Sequence, residues 1–257
     1  MDLSVVVPVK NEQDNVLPLL AEIHAALDGR YDYEVIYIDD GSDDASPRML
    51  DEACGLYPRL RVLRHARSCG QSTAVRTGVK AARAPWIATL DGDGQNDPAD
   101  IPNLMALMQA SDASSQLDLV AGWRKRRRDT WLKRISSKIA NAVRRGMLKD
   151  DTPDTGCGLK LFRRDVFLDL PYFDHMHRYL PALVLRAGGQ VRSVEVHHRH
   201  RERGVSKYGL HNRLWVGIVD LFGVAWLQRR AKLPVVCELA ASSGTVPDLQ
   251  PEGTEGA

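Results

Sequence analysis

A chain of 257 residues, with 44% hydrophobic and 26% charged content, has the composition of an ordinary globular protein and enough length for one α/β domain with a sizeable core or two small ones. Its four cysteines, Cys54, Cys69, Cys157 and Cys237, are scattered, which excludes a cysteine-based metal site and fits a reduced, cytoplasmic setting. The net charge of +2 is unevenly spread: Gly122 to Lys149 is rich in Lys and Arg with Asp129 as its only acid, whereas acids cluster at Asp39-Asp40, Asp43-Asp44 and Asp91-Gly92-Asp93. An acidic corner beside a basic surface matches a metal–phosphate centre next to an anionic partner.

Met1-Asp2 leads straight into an apolar run, so no signal peptide is expected at the start. Leu3 to Val9 reads as a buried strand, and Glu12 to Leu27 carries apolar residues at helical spacing up to the stop at Gly29. Tyr33 to Ile38 is a second strand, Ser46 to Leu56 a helix, Leu60 to Leu63 a strand and Gly70 to Ala82 a helix after a glycine-containing turn. Trp86 to Leu90 is the next strand, Pro98 opens a further helix and Leu117 to Ala121 is another strand. This alternation predicts a mostly parallel sheet with helices on both faces, and ligands in such sheets sit at the carboxyl ends of the strands.

Beyond Gly122 the character changes. Thr130 to Met147 reads as an amphipathic helix, with Leu132, Ile135, Ile139 and Val143 on one stripe and Arg134, Lys138, Arg145 and Lys149 on another. That stripe serves either the headgroup boundary, which Trp131 suits, or packing on the domain. Gly156 to Phe162 is strand-like, His175 to Ala187 helical, Gln190 to His198 alternates as a strand, and Leu210 to Arg230 is helical and partly apolar. Its longest apolar run, Leu214 to Leu227 interrupted by Asp220, is roughly 21 Å as a helix, short of the ~30 Å bilayer core. With Trp215 and Trp226 inside and basic residues on both flanks, it is an interfacial anchor or a core helix. Ser242 to Ala257, rich in Gly, Pro, Ser and Thr, is expected to be disordered.

Asp91-Gly92-Asp93-Gly94-Gln95, directly after a strand, carries the strongest chemical signal. Two carboxylates two residues apart at a strand end can meet one divalent cation, and oxygen ligands suit Mg2+ or Mn2+, which also bind diphosphate oxygens. The bland alternative is a polar turn. Asp39-Asp40-Gly41-Ser42 follows another strand end, where carboxylates can accept hydrogen bonds from a base or ribose, or Ser and Asp can serve a helix start. His197, His198 and His200 lack Cys or acidic partners at zinc-ligand spacing. The basic patch could serve a nucleic acid, but the acidic strand ends oppose a phosphate backbone and no nucleic-acid-binding motif is present.

The ordered set Val7-Pro8-Val9-Lys10-Asn11-Glu12, Asp39-Asp40-Gly41-Ser42 and Asp91-Gly92-Asp93-Gly94-Gln95 resembles the inverting glycosyltransferases of the GT-A (nucleotide-diphospho-sugar transferase) fold. Gly122-Trp123-Arg124, the run Lys133 to Asn141 and Gly204-Val205-Ser206-Lys207-Tyr208-Gly209 narrow the likeness to the dolichyl-phosphate mannosyltransferase and bacterial polyprenyl-phosphate glycosyltransferase branch, from about Leu3 to about Arg230. The resemblance implies a donor half over 1–121 and an acceptor and membrane-facing half over 122–232, with C-terminal amphipathic or interfacial helices. Pro8, Val9, Asn11, Glu12, Asp39, Asp40, Asp91 and Gly92 would line the donor pocket, and Asp91, Asp93 and Gln95 would hold the metal. Arg124, Lys133, Arg134 and Ser137 would receive the lipid phosphate, and Lys207 would neutralise charge near the transfer point, with Asp93, Arg124 and Lys207 central to catalysis. Arg199, Arg201 and Arg203 lead into the Lys207 segment and are expected to close over the donor.

Gly94 stands where relatives often carry Leu, which is expected to loosen the loop without removing a ligand, and no counterpart of the C-terminal membrane helices of several relatives is expected in this sequence. The implied partners are a nucleotide sugar, a polyprenyl phosphate and the inner face of the plasma membrane, with an oligomer or anchoring subunit compatible and no nucleic acid. A polyprenyl phosphate has a second pKa near 6 and is already a nucleophile at neutral pH, so positioning and charge neutralisation suffice. A hydroxyl acceptor would need a base, for which Asp154 is the best-placed residue.

Overall fold

Leu3–Val9 (β1) and Tyr33–Asp39 (β2) are mostly apolar because both of their faces are covered, and nearly every residue in them is buried. The computed structural model describes residues 1–110, 117–125, 143–200 and 210–234. Lys133, Arg134, Ser137, Arg201, Arg203, Lys207, most of the helix expected from Thr130 and the tail from Ser242 lie outside the described residues.

Five further strands, Leu60–Arg64 (β3), Trp86–Thr89 (β4), Leu119–Trp123 (β5), Lys160–Arg163 (β6) and Val191–Glu195 (β7), complete one seven-stranded sheet in the order β3-β2-β1-β4-β6-β5-β7. All of them run parallel except β6, which is antiparallel to both β4 and β5. The sheet is thus mostly parallel, as expected, with β6 as its one reversed strand.

Val16–Leu27 (α1), Ser46–Leu56 (α2) and Ile101–Gln109 (α4) cover one face of the sheet, where Leu20, Ile23, Leu50, Ile101 and Leu104 are sealed from solvent. Gln71–Ala81 (α3), Arg164–Asp169 (α5), Leu180–Arg186 (α6) and Leu210–Arg229 (α7) cover the other, with Val79, Phe167, Leu183 and Val224 buried. Gly78 lets α3 close onto the sheet, because a Cβ there would lie 2.5 Å from Val6 and 2.7 Å from Ile38 side-chain carbons.

The helix expected over His175 to Ala187 is split into a 3₁₀ turn at Met176–Arg178 and α6. Pro181 explains the break, since proline is accommodated in the first turn of a helix but not in its interior. The helix expected from Glu12 begins only at Val16, after Asn11 turns the chain with a φ of 54°. Residues 143–148 are helical, as the amphipathic pattern from Thr130 anticipates for its last turns.

Candidate active site

The parallel pairing of β1 with β2 and β4 brings their carboxyl ends to one edge, with Val9 opposite Asp39. There Asp39 and Asp40 do different work. Asp39 is 1% exposed, accepts the Ser42 N–H at 2.9 Å and lies 3.0 Å from the Arg64 Nε. Asp40 accepts from the Ser68 hydroxyl at 2.7 Å and from the Cys69 and Gly70 N–H groups at 2.8 and 2.9 Å, and shares a 2.7 Å bond with His65 Nδ1. Burial raises its pKa, but these donors outweigh that and hold it below the usual carboxylate range. Asp40, His65 and Cys69 each bring a ligand-type atom within 4.8 Å of the others, yet both Asp40 oxygens are already accepting, so the cluster anchors the 65–70 loop.

Asn11 and Glu12 knit the end of β1 to that turn. The Asn11 and Glu12 N–H groups donate to the Ser42 and Ser46 hydroxyls, each at 2.9 Å, and the Asn11 side chain bonds both the N–H and the carboxylate of Asp43. Pro8 stays partly exposed at the rim. Val9 does not present its side chain to the site: it is 3% exposed and packs in the core, against Gly92.

The third cluster follows β4. Asp91 takes a 2.8 Å hydrogen bond from Gln71 Nε2, and its N–H donates to Asn96 Oδ1 at 3.1 Å. Its carboxylate is pressed against Gly158, where an added Cβ would come within 2.2 Å of Oδ2. Gly92 is held as tightly, since a Cβ there would lie 2.9 Å from the Pro8 carbonyl oxygen. Asp93 Oδ1 accepts the Gln95 N–H at 3.1 Å, and Gln95 Nε2 donates to the Arg199 carbonyl at 3.4 Å. Gly94 adopts a φ of 72°, so it makes a left-handed turn that a leucine resists.

Burial first, and then the charge of Asp93, push the Asp91 carboxyl above its ordinary range, while Lys160, Arg124 and Gln71 pull it back. Two oxygen-donor side chains whose mutual repulsion is only partly offset make a fitting pair for a hard divalent cation.

Arg124 and Asp154 form a bidentate pair at 2.6 and 2.9 Å, each about 10% exposed, with the Arg124 N–H donating to the same carboxylate at 3.3 Å. Burial opposes the guanidinium charge, but Asp154, with a smaller part from Asp91, holds Arg124 more strongly protonated than a solvated arginine. Lys160 on β6 is 3% exposed and donates to the Cys157 carbonyl. Desolvation lowers its pKa, against the pull of Asp91 and Asp154.

Arg199, expected to close over the donor, lines a cavity with Asp93 and Gly94. It bridges Glu22 on α1 at 2.7 Å and Asp97 at 2.8 Å. Sequence reasoning missed Gln71, Gly158, Lys160, His65 and Ser68. Only Lys160 left a signal, a lone lysine inside the apolar strand Leu159 to Phe162.

The glycosyl transferase family 2 model matches residues 4–170, spanning the acidic strand ends and the Arg124–Asp154 pair. The chain belongs to glycosyl transferase family 2. Among its relatives, a dodecaprenyl-phosphate galacturonate synthase of Rhizobium johnstonii is 36% identical over 239 residues, covering 91% of this chain and 69% of that protein. An undecaprenyl-phosphate 4-deoxy-4-formamido-L-arabinose transferase of Edwardsiella ictaluri is 34% identical over 211 residues, covering 81% of this chain and 63% of the relative. This member of the family thus spans about two thirds of the length of those relatives. A mannosyltransferase from Pyrobaculum calidifontis, solved with GDP-Man and Mn2+, superposes with a TM-score of 0.64 at 22% identity, over 90% of this chain and 65% of that one. A glucosyl-3-phosphoglycerate synthase from Mycobacterium tuberculosis superposes at 0.63 and 18% identity, over 91% and 81%. These likenesses establish the GT-A-like fold.

Proposed function

We propose that this glycosyltransferase moves a sugar, with inversion, from a nucleoside diphosphate donor to a polyprenyl phosphate at the cytoplasmic membrane face, in one catalytic unit over 1–232. The relatives named above, at 34–36% identity, act by their names on dodecaprenyl and undecaprenyl phosphate. The Arg124–Asp154 pair carries the choice of acceptor. Asp154, the best-placed base for a hydroxyl acceptor, has its oxygens committed to the guanidinium. An ionised phosphate needs no base; it needs cations around the reacting carbon, and Arg124, held protonated beside Asp154, is the cation this corner supplies.

Asp91 and Asp93 are the residues that would hold the cation, with Gln95 beside them in the same turn. When bound there, Mg2+ or Mn2+ supplies charge neutralisation for the departing diphosphate. The mannosyltransferase with the same fold was solved with Mn2+, which supports this assignment. Asn11, Glu12 and Asp39 shape the donor pocket, with Asp40 acting through the loop it anchors. The proposal also assigns lipid-phosphate contact to Lys133, Arg134 and Ser137 and charge neutralisation at the transfer point to Lys207.

Among the described residues, no helix is long and apolar enough to cross a membrane. The exposed stripe of α7, formed by Ile218, Val219, Phe222 and Trp226, is the part of the fold we assign to the bilayer interface.

Arg124→Ala tests the acceptor assignment. The expected result is a KM for undecaprenyl phosphate raised by about tenfold or more, as for loss of a charge-assisted hydrogen bond, with the donor KM changed much less. An unchanged lipid KM would remove Arg124 from the acceptor site.

A further inference from the structure

Three consecutive residues that follow β7 are fastened to the turn that carries the metal carboxylates. His197 donates its N–H to Asp100 at 2.6 Å and meets the other oxygen of that carboxylate through Nδ1 at 2.9 Å. His198 forms an antiparallel bridge with Asn96. Arg199 donates its N–H to the Gln95 carbonyl at 2.9 Å, and its own carbonyl accepts Gln95 Nε2 at 3.4 Å.

The Arg199 side chain then fixes this seam from outside. One guanidinium nitrogen reaches Glu22 on α1 and the other reaches Asp97, which in turn accepts the Ala99 N–H at 3.0 Å. The connection to the chemistry is short. Gln95, held on both its carbonyl and its amide by Arg199, donates its N–H to Asp93 Oδ1. A displacement of Gln95 would therefore move the N–H that orients the carboxylate assigned to the cation.

We propose that Arg199 is a positioning residue that sets the orientation of Asp93 through Gln95, and thereby the affinity of the site for its divalent cation. The inference rests on the metal reading of Asp91 and Asp93. Outer residues that orient a metal ligand act without touching substrate, and their loss typically weakens metal binding by about 10–100-fold. Arg199 suits this role because its planar fork reaches two carboxylates on two different segments. A lysine can satisfy only one of them at a time.

The test is Mn2+ binding to the full chain, read from the free-Mn2+ electron paramagnetic resonance signal in the presence of UDP or GDP, alongside melting temperature and the Mn2+ dependence of transfer. Arg199→Met is expected to weaken Mn2+ binding by roughly tenfold, with transfer at saturating Mn2+ largely recovered. Arg199→Lys is expected to fall between Arg199→Met and wild type. Glu22→Gln, which loosens the same seam from the α1 side with little risk to folding, is expected to move Mn2+ binding in the same direction as Arg199→Met. A lowered melting temperature with unchanged Mn2+ binding in Arg199→Met and Glu22→Gln would show a merely structural clamp and overturn the inference. Wild-type protein that takes up no Mn2+ with either nucleotide would overturn the metal reading itself, and this inference with it.

Discussion

Asp91 sits where its charge is disfavoured: burial and the neighbouring Asp93 both raise its pKa. A carboxyl raised in the folded state leaves stability untouched at pH below the ordinary carboxylate range, where it is protonated folded and unfolded alike. It lowers stability progressively as pH rises through the raised pKa. Asp91→Asn is therefore expected to match wild type in acid and to melt higher than wild type at neutral pH without metal, while losing transfer. Thermal melts of metal-free protein across pH check this, and an equal or lower melting temperature at neutral pH would contradict it. Stability is sacrificed at a functional residue in this way when the site needs a charge that the fold alone does not favour. The Asp91–Asp93 pair was legible in the sequence because both carboxylates lie within one turn. Gln71 and Gly158 were not, since they reach Asp91 from 20 and 67 positions away, and nothing local in either segment encodes that meeting.

Among the elements, β1, β2 and β4 were readable because strands buried on both faces are predominantly apolar. Strand β6 was readable as a strand but not in its direction: reversal depends on which neighbours it pairs with, β4 and β5, and a run of four residues carries no orientation. The acidic corner depends on α3 lying close to the sheet, and Gly78 controls that distance. Gly→Ala inside an exposed helix normally stabilises by roughly 0.5–1 kcal/mol. At Gly78 the new methyl would meet Val6 and Ile38 at 2.5 and 2.7 Å, so the sign reverses. Gly78→Ala is expected to cost about 1–3 kcal/mol, as overpacked cores do, seen as a lower urea midpoint at unchanged slope. An unchanged or raised midpoint would show that α3 can shift without loss.

In the whole molecule, α7 joins the fold to the proposed membrane surface. Sequence alone left its apolar run as either anchor or core, and the structure gives the helix one buried and one exposed apolar face. Val224 and Ala225 are buried, Arg186 Nε donates to the Leu227 carbonyl and Gln228 Nε2 donates to the Leu148 carbonyl. On the opposite side Val219, Phe222 and Trp226 are 68%, 61% and 58% exposed, with Arg229 and Arg230 at the helix end. An aromatic and aliphatic stripe ending in cations suits an anionic lipid surface. The double variant Phe222→Ser, Trp226→Ser is expected to lose cosedimentation with phosphatidylglycerol vesicles while keeping its melting temperature. Retained vesicle binding would move the membrane contact elsewhere, and a wild-type dimer that dissociates in the variant would assign the stripe to a second copy instead.

The most direct test of the account is transfer from a panel of radiolabelled nucleotide sugars to undecaprenyl phosphate in detergent, with and without Mn2+ or Mg2+. The account predicts a labelled, chloroform-soluble, mild-acid-labile product that requires the cation and disappears in Asp93→Asn. Label appearing only on a saccharide or protein hydroxyl, with none in the lipid phase and with Asp154→Asn inactive, would contradict it and make Asp154 the catalytic base.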